Sequence, residues 1–180
     1  MPLRGSRYAR AIVPTTLTSS RPTVLQVFGI TALLWDGGSF REATLAGRLK
    51  LGFDRSRTHP LAVGDEVILE EGTPPRIVAV APRRTRLERA ATGSRGKDLT
   101  QVIAANADQT MIVSSFDDPP FRPGLVDRWT LLALRGGMEP VLCMNKLDLG
   151  SQADAERVVH EACIPLDTIY VSAKTDEGLE

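Results

Sequence analysis

This sequence predicts an all-β barrel followed by an α/β unit built on a parallel sheet, and three observations carry that reading. Between Thr23 and Val80, about five short apolar runs are separated by Gly and Pro turns, which is the rhythm of a small barrel. From Gln101 onward, apolar runs of strand length alternate with longer stretches of helical period, as β-α-β connections do. The charge also changes sign between the two parts. The 180-residue chain is neutral overall, but residues 1–97 hold 16 Lys and Arg against 8 Asp and Glu, whereas residues 98–180 hold 6 against 14. A basic front and an acidic back point to a front part that meets a polyanion and a back part that does not.

Hydrophobic residues make up 42% of the chain and charged residues 24%, a globular balance that supports a packed core. No apolar run approaches the length of a membrane span. Cys143 and Cys163 are the only cysteines, with no C-x-x-C and no His at ligand spacing. They read as buried free thiols in a reducing compartment. His59 and His160 read as surface residues.

Residues 1–22 lack acids and carry Arg4, Arg7, Arg10 and Arg21 among Ser and Thr. That composition suits an organelle transit peptide or a flexible basic arm, and the arm is the preferred reading. The barrel spans residues 23–82. Thr23 to Ile30 and Ala32 to Trp35 precede the turn Asp36-Gly37-Gly38, and Glu42 to Leu51 alternates loosely before a polar loop, Gly52 to Pro60. Val63-Gly64-Asp65-Glu66-Val67 is a tight turn into the strand Val67 to Leu69, and Arg76 to Val80 closes the set. An OB-like barrel is the leading fold for this pattern, with small SH3-like barrels producing a similar one.

Residues 83–100 form a basic connector, in which Arg83 to Lys97 hold six Lys and Arg and one acid, Glu88. Arg83, Arg84, Arg86 and Lys97 are its candidate RNA contacts. Gly96-Lys97 looks like the end of a phosphate loop, but Asp98 follows where Ser or Thr is needed, and Ala91 stands at the leading Gly position. It reads as a mobile loop.

In residues 101–180, Thr110 to Ser115 reads as a buried strand. A helix begins near Pro123, where a first-turn Pro is favourable. Leu125, Trp129 and Leu132 share a face of it, and Gly136-Gly137 ends it. A Pro-led apolar run, Val141 to Met144, then empties into Asn145-Lys146-Leu147-Asp148. Ligands bind at the carboxyl ends of strands in such sheets. Asp148 offers two acceptor oxygens side by side, matching the ring N–H and exocyclic amine of guanine, a pair that adenine lacks. Lys146 has a methylene stem to lay over a flat base, and Asn145 an amide to tie loops together. After a helical stretch, the strand Asp167 to Val171 leads into Ser172-Ala173-Lys174.

N-K-x-D followed by S-A-K resembles the guanine-specificity signature of the Ras-like GTPases. Here a barrel and a basic connector precede both motifs, and that order resembles the circularly permuted, ribosome-small-subunit-dependent GTPase A family. The local text agrees at Val63 to Val67, at Pro82-Arg83-Arg84 to Leu87-Glu88-Arg89, at Gln101 to Gln109, at Asn145 to Asp148 and at Ser172 to Gly178. The resemblance covers about residues 23–180. It implies a cytoplasmic, monomeric factor of late small-subunit maturation, with its barrel on ribosomal RNA and GTP or GDP as ligand. Asn145, Lys146 and Asp148 would read the guanine, with Ser172, Ala173 and Lys174 closing over it. Mg²⁺ and a zinc-bearing domain are expected of the intact family protein.

The family's phosphate loop, magnesium-binding switches and zinc ligands are expected after the S-A-K loop. The sequence contains no G-x-x-x-x-G-K-[ST] and no D-x-x-G. The α/β part therefore reads as an incomplete, circularly permuted, P-loop-type GTPase domain with no catalytic residue to name. Two functions follow: the amino-terminal part of a ribosome-assembly GTPase, inactive by itself, or a non-enzymatic RNA-binding relative.

Overall fold

The computed structural model describes residues 21–47, 49, 59–90 and 100–179. Nearly all of the expected basic arm, most of the Gly52 to Pro60 loop, and Lys97 lie outside the described residues.

Five strands form the first sheet: β1 (Thr23–Phe28), β2 (Thr31–Trp35), β3 (Phe40–Leu45), β4 (Val67–Glu70) and β5 (Arg76–Val80), in the order β1-β2-β3-β5-β4. β3 and β5 are parallel and the other neighbours antiparallel. The sheet also closes on itself. Thr23 bridges Glu66, the Val24 N–H donates to the Asp65 carbonyl, and the Val67 N–H donates to the Pro22 carbonyl. Side chains two apart on a strand share a face, so Ala32 and Leu34 of β2 turn inward with Val24, Ala43, Val67 and Ile77. Burying side chains the size of Leu34 and Ile77, both fully enclosed, contributes about 1.5–3 kcal/mol each. His59 is half-buried rather than on the surface. Its Nδ1 accepts the Leu61 N–H, and Nε2–H donates to the Gly29 carbonyl, pinning the β1–β2 turn.

The connector is a strand over part of its length. Arg86–Ala90 forms β6, antiparallel to β7 (Thr100–Ala105), with Leu87 buried. The sequence names no strand there, because a strand with only one covered position shows no apolar run. Residues Ala91 to Asp98 lie outside the described residues.

A three-stranded parallel sheet follows, in the order β10-β9-β8, from β8 (Gln109–Ser115), β9 (Glu139–Asn145) and β10 (Thr168–Tyr170). Helix α1 (Pro123–Arg135) connects β8 to β9, and α2 (Gln152–Glu161) connects β9 to β10. The buried stripe of α1 runs through Val126, Trp129 and Ala133, while Leu125 is exposed. α2 starts on Ser151, whose hydroxyl oxygen accepts the Asp154 N–H. β8 is enclosed on one face only. Ile112 is buried, but Met111 is 56% and Val113 61% exposed, against the expectation of a wholly buried strand. Cys143 is buried, and burial pushes its thiol up from the ordinary range. Cys163 is exposed, correcting the expectation that both thiols are enclosed.

The parts are stitched together at the Val63-to-Val67 turn. Ala105 N–H donates to the Val63 carbonyl, and the Asn106 amide donates to the Gly64 carbonyl at 2.9 Å. Gly64 has φ +86°, and a Cβ there would lie 2.0 Å from the Ala105 carbonyl oxygen, so the close approach admits glycine alone.

Candidate functional site

The site forms where β9 and β10 end side by side. Met144 pairs with Tyr170 across the parallel ladder, so both loops leave the sheet at one level. Leu142, Cys143 and Met144 are buried and anchor the strand beneath. Lys146 then adopts a left-handed conformation, φ 71° and ψ 38°, which breaks the strand and starts the 3₁₀ turn Leu147–Leu149. Leu147 is buried, its N–H donating to the Val171 carbonyl at 3.2 Å. Leu147 thus roots the loop while Asp148 faces the neighbouring one.

The two loops are cross-linked by side chains. Asn145 Oδ1 accepts the Lys146 N–H at 2.6 Å and the Ala173 N–H at 3.0 Å. Ser172, fully buried, donates its hydroxyl to Asp148 Oδ1 at 2.8 Å. Lys174 Nζ donates to Asp148 Oδ2 at 3.1 Å. The Ser172 hydroxyl, and after it the Lys174 ammonium, holds the Asp148 carboxyl below its usual range, so the group is an anionic acceptor at neutral pH. The second loop closes by Ser172 bridging Glu177, over Gly178 at φ +73°, where a Cβ would lie 2.3 Å from the Tyr170 carbonyl oxygen. Lys146 spans to the β8–α1 loop, its Nζ donating to the Asp118 carbonyl. A cleft of about 360 Å³, lined in part by Ser114, Ser115, Arg122, Asn145 and Lys146, adjoins this side.

All six residues expected at the nucleotide site are therefore in one place. Asn145 and Ser172 are framework and Asp148 is the acceptor. The Ala173 N–H is taken by Asn145 rather than standing open. Of the residues expected to meet RNA, Arg84 and Arg86 are exposed and paired with Asp108 and Glu88. Arg83 is turned inward. Its Nε lies 2.6 Å and its Nη2 2.8 Å from the carboxylate of Asp65, which is wholly buried and also accepts the Ala62 N–H. The sequence displays the V-G-D-E-V turn and Asn106, but not that Asp65 pairs with Arg83 or that Asn106, at φ 57°, bonds Gly64. Among the described residues, no group of three or more His, Cys, Asp or Glu is arranged to hold a metal. No helix there is long and apolar enough to cross a membrane.

The parallel sheet, with paired loops leaving adjacent strand ends, has the layout of an α/β nucleotide-binding fold. The family model described as RsgA GTPase matches residues 80–180, and the chain belongs to that family. Among curated relatives, the small ribosomal subunit biogenesis GTPase RsgA of Chlorobaculum tepidum is 34% identical over 158 residues, covering 81% of this chain and 49% of the relative. The protein of the same name from Chlorobaculum parvum is 37% identical over 134 residues, covering 71% and 40%. That from Xanthomonas campestris pv. campestris is 44% identical over 101 residues, covering 56% and 26%. The chain thus spans half or less of the length of these relatives. Among solved structures, YjeQ from Thermotoga maritima superposes with a TM-score of 0.65 at 23% identity, over 88% of this chain and 54% of that one. YloQ, a circularly permuted GTPase, gives 0.59 at 19%, over 86% and 52%. Both likenesses establish the fold.

Proposed function

We propose that this chain is the RNA-facing and guanine-reading portion of a cytoplasmic, small-subunit-dependent ribosome-assembly GTPase, with GTP and GDP as its ligands. Residues 23–82 act as an OB-like barrel, a reading supported by the β1-β2-β3-β5-β4 order and the Thr23–Glu66 closure. Residues 83–100 lead into the α/β part, residues 101–180. Arg84 and Arg86, joined by Lys97, meet ribosomal RNA, while Arg83 braces the barrel from within. The single observation that carries the nucleotide reading is the closed network of Asn145, Asp148 and Ser172 at adjacent strand ends. It aims a carboxylate, the acceptor pair that guanine needs, from a rigid frame. Mg²⁺ and Zn²⁺ belong to the expectation for the intact family protein, and among the described residues no cluster of three His, Cys, Asp or Glu is built for either.

Asp148→Asn tests the reading. Loss of the carboxylate leaves a guanine donor unpaired, whereas the new amide donates to the 2-oxo group of xanthine. Competition of labelled GDP with XDP on the full chain should shift toward XDP in the variant. Asp148→Ala should lose about 2–5 kcal/mol of guanine-dependent binding. If GDP keeps its original margin over XDP in the Asn variant, Asp148 is not the base reader.

A further inference from the structure

Asp148 does not present an open edge. Ser172 occupies Oδ1 and Lys174 occupies Oδ2, and the two donors differ in kind. Ser172 is fully buried, its N–H given to the Glu177 carbonyl at 2.9 Å and its hydroxyl oxygen accepting the Thr175 N–H at 3.3 Å. It is fixed. The Lys174 side chain is 76% exposed, against 10% for Asp148. Between the sunken carboxylate and solvent, then, stands an ammonium on a flexible four-carbon stem.

A carboxylate oxygen has two lone-pair sites, so Ser172 need not leave when a ligand arrives. Lys174 is the donor in the way. Its removal requires no movement of the loop, because Ala173 stays hydrogen-bonded to Asn145 and Ser172 to Glu177. Only side-chain torsions change. Resting on the base-reading role of Asn145 to Asp148, we propose that Lys174 is a displaceable stand-in for guanine. Its ammonium fills the Asp148 edge in the free protein, and the base enters by exchanging its own paired donors for that one. The lysine is then a specificity-determining residue that competes with the ligand. A base with no adjacent pair of donors cannot replace a charge-assisted contact with two hydrogen bonds.

Guanosine is the probe, because it carries no charge and its salt response reports on the protein alone. Its binding to the isotope-labelled full chain is followed by NMR at low and moderate KCl, with adenosine as the control base. Lys174→Met keeps the stem and removes the charge, and should bind guanosine about twofold to fivefold more tightly at low salt, the range of an exposed ion pair. Wild-type affinity should rise with KCl as the Lys174–Asp148 pair is screened. In Lys174→Met it should be flat, and Lys174→Arg should behave as wild type. If guanosine is preferred over adenosine but Lys174→Met binds it no more tightly, the stand-in role is overturned and the guanine reading survives. If no form prefers guanosine, both fall.

Discussion

Asp65 is a charge without any exposure, and it is held by Arg83, itself only 11% exposed. Taking two ions out of water is unfavourable, and the pair is retained only if every lone pair finds a donor. Here Arg83 supplies Nε and Nη2, Ala62 supplies its N–H, and the Pro60 carbonyl takes a further Nη2 contact at 3.3 Å. Removing one partner strands the other. Asp65→Ala and Arg83→Met should each destabilise the chain by about 3–5 kcal/mol, read from urea unfolding by circular dichroism. The double variant should lose less than the two singles together, because neither charge is left alone. A loss below about 1 kcal/mol in either single variant would put the pair in the class of exposed ion pairs and return Arg83 to the surface. The basic count of the connector does not distinguish an inward arginine from an outward one. What distinguishes them is the acid that folding brings to each.

At the level of elements, much of the fold is legible and the exceptions share a cause. β2, β4 and β5 are bounded by turns that the residues announce, such as Asp36-Gly37-Gly38 and Gly72 to Pro75, whereas Gly29-Ile30, read as part of the first run, is the β1–β2 turn. β9 and β10 are visible because apolar runs end in polar loops of known chemistry. β6 is not visible. It reads Arg-Leu-Glu-Arg-Ala, buries only Leu87, and owes its strand to pairing with β7. An apolar run also does not say which of its faces is covered, which is why Met111 and Val113 of β8 differ from the reading. The same holds for the candidate site: the two motifs name six residues, but not that Lys174 lies on Asp148. β6 carries its own prediction. Exposed Arg84 precedes β6 and exposed Arg86 begins it, so RNA held there should be bound through phosphates and weaken steeply with salt as counterions are released. Reversing Arg84, Arg86 and Lys97 to Glu should lower affinity for small-subunit RNA by at least about tenfold at low salt and flatten the salt slope. A variant with unchanged affinity and slope would move the RNA face away from Arg84 and Arg86.

Across the whole molecule, the two halves differ in how completely they enclose themselves. The first sheet closes through Thr23 and Glu66 around Leu34 and Ile77, both fully buried. The second ends in β8, which pairs with β9 on one side and with no described strand on the other. Beside that edge, Met111, Val113 and Leu125 line an apolar cleft of about 320 Å³. An unpaired edge next to exposed apolar surface opens locally at low free energy. Limited proteolysis of the 180-residue chain should therefore leave a resistant fragment holding residues 23–82 and cut the α/β part first. GTP turnover should be absent as well, even with small subunits present. In the proposed function the loops at Asn145 and Ser172 hold a base, while transition-state charge develops at the phosphates, and the sequence has no G-x-x-x-x-G-K-[ST] to receive them. GTP and GDP should accordingly bind weakly and about equally. Phosphate release above the subunit-only background would mean that a phosphate site exists in this chain outside any such motif. An α/β part as resistant as the first sheet would mean that the β8 edge is covered in solution.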